Sequence, residues 1–144
     1  MPRMSPLQVE EYLQLPHVAV LSVSRRNRGP VAVPVWYGFR DGVFEIVTSR
    51  DSVHGRAMER TGRATLTMRS ENYGALRTVE QYAHVEGPIR FVDGDKRAVV
   101  AEMRRRYYRG ENAAAWILRP LVLTQEIAHL QPERIAGFYW EESI

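Results

Sequence analysis

One segment of the chain carries most of the information about its fold: residues 33–56, which read VPVWYGFRDGVFEIVTSRDSVHGR. Asp41-Gly42 is a strong signal for a tight hairpin turn, and branched or aromatic residues flank it on both sides. Residues 52–60 then show helical spacing of apolar positions. The segment therefore predicts a β-hairpin, with strands at 35–39 and 43–47, followed at once by a short helix.

Turn signals also separate short strand patterns on both sides of this segment. We expect further strands over residues 17–24, 31–33, 64–68, 78–91, 121–130 and 135–140. The first two form a hairpin around residues 25–29, residues 69–76 form a loop, and the last strand lies at a sheet edge or packs across a dimer. The long strand bends near Gly87-Pro88, where a bulge would let a sheet curve. The pattern predicts one mainly β domain over residues 1–144.

Three helical patterns accompany the strands. Ser5-Pro6-Leu7-Gln8 is a capping box with proline in the first turn, so a helix is expected to run to Leu15. A longer helix is expected over residues 95–109. Its apolar positions are Ala98, Val99, Ala101, Met103 and Tyr107. Residues 112–118 predict one more helical turn before Pro120.

Composition limits the classes of function. The 144 residues suit one domain, and 44% hydrophobic with 26% charged residues is ordinary globular usage. No apolar run approaches the ~20 residues that cross a bilayer, and the amino terminus lacks a secretory signal, so we expect a cytoplasmic protein with no membrane partner. The chain has no cysteine, which excludes disulfides and thiol nucleophiles. Any redox chemistry must come from a bound cofactor.

The basic residues are almost all arginines. The net charge is +3, from 20 basic and 17 acidic residues, and Lys96 is the only lysine. Because the acidic residues are interspersed with the basic ones, nucleic acid is not the expected partner. Planar guanidinium groups suit phosphate and carboxylate ligands, so arginines at a pocket would favour an anion.

Several familiar catalytic motifs are missing from the sequence. The histidines, His17, His54, His84 and His129, lack the spacing that places two metal ligands on one helix face, so no metal site is expected. The sequence has no Gly-x-Ser-x-Gly elbow, no Walker loop and no Gly-x-Gly-x-x-Gly fingerprint after a strand. Acyl transfer, nucleotide hydrolysis and Rossmann-type hydride transfer are therefore disfavoured.

The segment that decides the fold also holds the remaining candidate site. Hydroxyls and backbone amides at a helix start favour an anion, because the free amides and the helix dipole act together. Ser49, Ser52 and Arg56 would then hold a phosphate. The backbone of residues 33–37, where Pro34 lacks an amide proton, would meet the polar edge of a planar heterocycle.

Simpler roles are open for the same residues. Trp36 and Tyr37 are equally consistent with core or interface aromatics, Ser52 with a helix cap, and Arg56 with a solvated helix position. The run at 104–106, three arginines, is typical of a solvated helix face.

Together these features resemble a known family, the split β-barrel flavin and deazaflavin oxidoreductases related to pyridoxamine 5′-phosphate oxidase. The matching features are the Val-Pro-Val-Trp-Tyr strand, the Asp-Gly turn, the Thr-Ser-x-x-Ser-x-His-x-Arg stretch at 48–56, the strand at 62–68 and Val85-Glu86-Gly87. They cover roughly residues 15 to 92. Many relatives carry lysine where this chain has His54, which bears on how strongly a phosphate would be held.

The resemblance implies a mainly β, six-stranded antiparallel split barrel that forms a homodimer, with two sites at the dimer interface. It also implies that residues 48–56 bind the phosphate of FMN or of the deazaflavin coenzyme F420. The cofactor-binding candidates are Pro34, Val35, Trp36, Tyr37, Thr48, Ser49, Ser52, His54 and Arg56.

The expected function is hydride transfer between this cofactor and a small conjugated or aromatic substrate, since the cofactor itself carries the hydride chemistry. No catalytic side chain is assigned. The candidate proton donors are Tyr37, Tyr73 and Tyr82. Five arginines favour F420 over FMN, because they could collect near its carboxylated tail: Arg25, Arg26, Arg28, Arg50 and Arg56.

Two other functions stay open. The same barrel could bind or carry a flavin, a deazaflavin, haem or another tetrapyrrole without turnover. A barrel that binds nucleic acid or another protein would instead use the arginines of 25–28 and 104–106 as basic patches.

Overall fold

The computed structural model describes residues 2–73, 77–121 and 124–143, with the backbone alone at 71–73 and 77–78. These residues form four helices and eight strands: α1 Pro6–Leu13, β1 Ala19–Arg25, β2 Arg28–Val35, β3 Gly38–Arg40, β4 Val43–Ser49, α2 Val53–Thr61, β5 Arg63–Tyr73, β6 Arg77–Val92, α3 Lys96–Tyr107, α4 Ala113–Ile117, β7 Gln125–Leu130 and β8 Arg134–Ser143. The mainly β antiparallel class is confirmed. The family resemblance implies six strands, whereas the described residues contain eight, as many as the local sequence patterns predict. None of the described helices is long and apolar enough to cross a membrane.

All strand pairs are antiparallel, and seven strands follow the path β2-β1-β5-β6-β7-β4-β3. Along one edge β6 pairs with β5; along the other it pairs with β8 up to Glu86 and with β7 from Ile89. The two ends of the path, β2 and β3, are separated in the chain by only Trp36 and Tyr37. Because the three Cα–Cα steps from Val35 to Gly38 span at most about 11 Å, these two ends of the path lie close together.

Gly87 marks the place where β6 changes partner. A Cβ atom there would lie 2.0 Å from the carbonyl oxygen of Gln131, so only glycine lets the connection between β7 and β8 pass. The amide of Gln131 donates to the carbonyl of Pro88, and the amide of Glu133 donates to that of Glu86, each at 2.9 Å. The predicted bend near Gly87-Pro88 coincides with this exchange of partners.

The turns and helix starts follow the local sequence signals. Asp41 and Gly42 have φ values of 54° and 73°, both positive, as a type I′ hairpin requires. Ser5 forms the predicted capping box with Gln8, with hydrogen bonds of 3.2 and 2.8 Å. Ser52 is the cap of α2, and its hydroxyl accepts from the amide of Gly55 at 3.0 Å.

Alternating apolar positions build one continuous core inside the curled sheet. On β1 the inward residues are Ala19, Leu21 and Val23, which are 2% exposed or less. On β4, Phe44 and Ile46 are fully buried in the same cluster. The core thus fixes which face of β1 and β4 turns away from solvent.

Several predicted element bounds, and the buried positions predicted for the long helix, differ from the observed ones. β5 continues to Tyr73 through part of the predicted 69–76 loop, because each of its residues pairs with β6 and tertiary pairing outweighs polar composition. β2 ends at Val35, so the predicted strand at 35–39 is interrupted. α3 buries Val100 and Met103, whereas Ala98 is exposed. β7 begins at Gln125, later than the predicted residue 121, and residues 122–123 of the predicted strand lie outside the described residues.

Candidate functional site

A cavity of about 930 Å³ lies between the sheet and the helices that follow β6. Its volume is within the range of small-molecule binding sites. The lining residues are Val18, Val33, Pro34, Val35, Trp36, Val47, Thr48, His54, Val100, Met103, Arg104, Tyr108, Arg119, Pro120, Leu121 and Gln125. Five of the nine predicted cofactor-binding residues are among them: Pro34, Val35, Trp36, Thr48 and His54.

The first part of the lining, which we call the strand wall, comes from residues 33–36, Thr48 and His54. β2 is at the end of the sheet path, so one edge of its backbone has no strand partner within the described residues. Such an edge offers amides and carbonyls to a planar ligand. Trp36 follows directly and stacks on Tyr107, with ring centroids 4.7 Å apart and an interplanar angle of 3°.

Thr48 and His54 form a hydrogen-bonded pair on the strand wall. The Oγ1 atom of Thr48 lies 2.6 Å from the Nε2 atom of His54, which belongs to the first turn of α2. Burial lowers the pKa of His54 below its usual range, because the charged imidazolium loses hydration. In the free protein the pair is therefore neutral near pH 7. It can bind a ligand through hydrogen bonds and not through charge.

The other members of the predicted phosphate cradle lie away from the cavity lining. The hydroxyl of Ser52 donates to the carbonyl of Ser49 at 2.7 Å besides capping α2. Arg56 is exposed on the outer side of α2. The capping role considered for Ser52 is thus observed, and the structure brings Thr48 and His54, but neither Ser49, Ser52 nor Arg56, to the cavity.

Two of the three tyrosines considered as proton donors, Tyr37 and Tyr82, lie outside the described lining. Tyr37 is fully buried, and its hydroxyl lies 3.0 and 3.1 Å from the carbonyl oxygens of Leu13 and Leu15. Burial raises its pKa far above the usual range, so Tyr37 is a core residue that ties the strand wall to α1. Tyr82 stacks on a ring of β8, that of Phe138, with ring centroids 5.0 Å apart. The side chain of Tyr73 lies outside the described residues.

The second part of the lining, which we call the helical wall, was missed by sequence reasoning. Its residues are Val100, Met103, Arg104, Tyr108, Arg119, Pro120 and Leu121. The spacing of 100, 103 and 104 on α3 is a signal for one helix face, but it does not show what that face covers. The arginine run at 104–106 is not simply solvated, because the first and third arginines donate to backbone carbonyls.

The charges at the cavity also differ from expectation. None of the five arginines that favour F420 lines it. Arg50, for example, pairs with Glu126 at 2.7 Å and with Glu59 at 2.9 Å. Arg104 and Arg119 line the cavity instead, and its described lining contains no aspartate or glutamate. The cavity therefore favours an anionic ligand, with its cations on the helical wall.

Comparison with known proteins gives matches to solved structures only. No protein-family model matches the sequence, and no curated protein matches it. A FAD-binding protein from Mesorhizobium loti superposes with a TM-score of 0.70 at 14% identity, covering 99% of this chain and 98% of that chain. A FAD and heme binding protein from Mycobacterium smegmatis superposes with a TM-score of 0.68 at 18% identity, covering 92% of this chain and 70% of that chain.

A candidate pyridoxamine 5′-phosphate oxidase from Corynebacterium glutamicum gives a TM-score of 0.60 at 14% identity, covering 99% of this chain and 98% of that chain. The structural neighbours are thus split-barrel proteins related to pyridoxamine 5′-phosphate oxidase, among them flavin- and haem-binding proteins, and the predicted fold resemblance is confirmed. At these identities the likeness shows a common fold.

Proposed function

We propose that the cavity binds a flavin-type cofactor, FMN or coenzyme F420, and that the protein is an oxidoreductase. It transfers hydride to or from a small conjugated or aromatic substrate. The observation that carries this proposal is the cavity itself, which joins a free strand edge, the Thr48–His54 pair and two arginines without a carboxylate in its described lining. Apolar walls with few polar groups suit a planar ring that bears an anionic chain.

The residues of the strand wall fit such a group. The ring system would lie along residues 33–36, where backbone groups at the free edge of β2 meet its polar rim. Its phosphate would lie at Thr48 and His54, at the start of α2. The amides of Val53 and His54 have no acceptor within the described part of the chain, so the helix start retains donors for an anion.

The bound cofactor would supply the hydride chemistry. The protein would orient the ring through the strand edge, exclude water through its apolar lining, and hold the phosphate through Thr48 and His54. Tyr108 is the tyrosine of the described lining, and no catalytic side chain is assigned.

We also propose that the protein is a homodimer with the site at its interface. Val18 and Val20 are 54% and 40% exposed, and Pro34 on the adjacent strand is exposed as well. A second copy covering this face would bury roughly 2,000 Å² or more, as obligate interfaces do. Sedimentation that shows a folded monomer at micromolar concentration would contradict the dimer.

One alternative function has its own support. A carrier of flavin, deazaflavin or haem needs no proton donor, and the described lining contains no carboxylate to act as an acid or base. His54 is an imidazole in a largely apolar cavity, which is the type of side chain that ligates haem iron. One solved structure of similar fold is a FAD and heme binding protein.

A binding experiment tests the proposed cofactor. The purified protein is titrated with FMN, with F420 and with haem, by fluorescence quenching or absorption, and His54→Ala is compared with the matched control His84→Ala on the exposed side of β6. We expect one flavin-type cofactor to bind and only His54→Ala to weaken it. Haem binding without flavin binding would support the carrier, and no binding by any of the three would reject both functions.

A turnover experiment separates the enzyme from the carrier. The bound cofactor is reduced anaerobically, and a quinone is added as a conjugated acceptor. Saturable reoxidation faster than that of the free cofactor supports the oxidoreductase. Reoxidation at the free-cofactor rate or slower supports the carrier.

A further inference from the structure

Arg104 builds the helical wall by binding the chain that follows α4. Its guanidinium donates to the carbonyl of Ile117 at 3.3 Å, to that of Pro120 at 3.1 Å, and to that of Arg119. A helix leaves its last carbonyls without intrahelical donors, so this segment needs an outside donor to be held in place. One planar guanidinium reaches three carbonyls, and it fixes residues 117–120 against α3.

Arg119 extends from this fixed segment and lines the cavity. Its guanidinium lies 4.9 Å from the ring centroid of Trp116, whose other neighbour is the Tyr108 ring at 5.8 Å. Arg119 is exposed and makes no ion pair with a carboxylate in the described part of the chain. Stacking on an aromatic ring leaves the in-plane N–H donors of a guanidinium available to an anion.

The two arginines of the lining therefore differ in what they offer a ligand. Arg104 uses three of its N–H donors on backbone carbonyls, whereas Arg119 retains its donors at the cavity rim. The strand wall offers a separate polar region at Thr48 and His54. A ligand with one phosphate would occupy only the strand-wall region, so the cation on the helical wall favours a ligand with a second anionic group.

We propose that Arg119 is the specificity-determining cation of the site, that it binds the second anionic group of an extended flavin-type ligand, and that Arg104 is its positioning residue. The second group is the adenylate phosphate of FAD, which FMN lacks, or the carboxylated tail of F420. This inference rests on the proposed function and adds that the ligand extends beyond a mononucleotide. It assigns recognition of the extension to Arg119, which none of the predicted site residues included.

Dissociation constants for FMN, FAD and F420 test the role of Arg119. They are measured by fluorescence quenching for the wild type, for Arg119→Gln and for Arg105→Gln. The control residue Arg105 is exposed on α3 and, within the described part of the chain, its guanidinium pairs with Glu102 at 2.9 Å. Arg119→Gln should raise the dissociation constant of the preferred extended ligand about three- to tenfold, the scale of a charge-assisted hydrogen bond at a solvated site. The dissociation constant of FMN should change less than about twofold. Arg105→Gln should leave all three constants unchanged.

Four results would overturn this inference. If Arg119→Gln lost affinity equally for FMN and for the extended ligands, Arg119 would contribute only general positive charge. If it lost affinity for none of them, Arg119 would not be part of the site. Binding of FMN alone by the wild type would reject the extended ligand while leaving the proposed function intact. If the wild type binds none of the three, the proposed function and this inference fail together.

Arg104→Lys tests the positioning role, because lysine keeps the charge but cannot span three carbonyls. The amides of Leu118 and Arg119 donate to the carbonyls of Ala114 and Trp116 in α4, at 3.2 and 3.3 Å, so their hydrogen exchange reports how well residues 117–120 are ordered in the free protein. Arg104→Lys should speed that exchange and reduce the preference for the extended ligand. Arg119→Gln should reduce the preference without changing exchange. An unchanged preference in Arg104→Lys would reject the positioning role.

Discussion

The strand wall and the helical wall face the same cavity but are held by different forces. The strand wall is part of the sheet, and its residues connect to a core whose side chains are fully buried, such as Phe44 and Ile46. α4 buries none of its side chains, and its last turn depends on the guanidinium of Arg104. The shape of the strand wall is thus set by the fold, whereas that of the helical wall is set by a few side chains. Substitutions on the two walls should therefore separate stability from ligand preference.

The largest effect is expected from Gly55→Ala, which disturbs the strand wall. A Cβ atom at Gly55 would lie 2.2 Å from the carbonyl oxygen of Ser49 and 2.6 Å from that of Arg50, so α2 must shift. We expect a loss of about 3 kcal/mol in the free energy of unfolding, measured with urea. Gly29→Ala is the control, because nothing lies within 4 Å of its added Cβ. Equal stabilities for the two variants would show that α2 adjusts freely.

A smaller effect is expected from Tyr107→Phe, which removes a tie between the walls. The Tyr107 hydroxyl donates to the carbonyl of His17 at 2.5 Å and accepts from the amide of Tyr37 at 3.1 Å. Leaving partly buried backbone groups unpaired should cost about 1–3 kcal/mol of unfolding free energy. Tyr108→Phe, at the residue that caps the same helix, is the matched control. A loss no larger than that of the control would mean that water replaces the hydroxyl.

Thr48→Val should affect ligand binding more than folding. The valine preserves the shape of the side chain but removes the hydroxyl that lies 2.6 Å from the imidazole of His54. We expect a loss of about 1 kcal/mol in the binding free energy of the flavin-type cofactor, which is roughly fivefold in the dissociation constant. Arg56→Ala should change it less than twofold, because Arg56 is exposed and outside the lining. A larger loss for Arg56→Ala would return the phosphate to the outer side of α2.

The contrast between the walls also explains how far the sequence could be interpreted. Asp41-Gly42, the Ser52 cap and the 53–61 helix are local signals within one stretch, so the hairpin and the strand wall were predictable from it. The resemblance of the whole segment to split-barrel proteins gave the fold. Five of the nine candidate residues consequently line the cavity.

Residues of the helical wall have no such local signal. Arg104 and Arg119 are separated by fifteen positions, and only the folded chain brings the guanidinium of one to the carbonyl of the other. A run of arginines on a helix is most often solvated, so the sequence predicted a solvent-exposed side chain for Arg104. In the structure its guanidinium binds backbone carbonyls instead. Tyr37 shows the same limit, because a strand aromatic beside a predicted site does not show which way its ring turns. Of the two roles that the sequence left open for its ring, the structure shows the core role.

The smallest expected effect concerns the pH dependence at His54, which would sharpen the contrast between a neutral strand wall and a cationic helical wall. Burial lowers the pKa of His54 in the free protein, whereas a phosphate beside it would raise the pKa by favouring the imidazolium. Binding then takes up a proton between these two pKa values, so affinity for the flavin-type cofactor should fall as pH rises through that window.

The phosphate itself titrates near pH ~6 and affects any variant alike, so the informative quantity is the ratio of affinities of wild type and His54→Lys. Lysine retains its charge through this range if it remains partly solvated, so the variant should bind more tightly above neutral pH, by about three- to fivefold, with a shallower pH profile. Parallel profiles for the two proteins, measured from pH 5.5 to 8.5, would show that the phosphate lies beyond the reach of His54 and that the helical wall supplies the cations on its own.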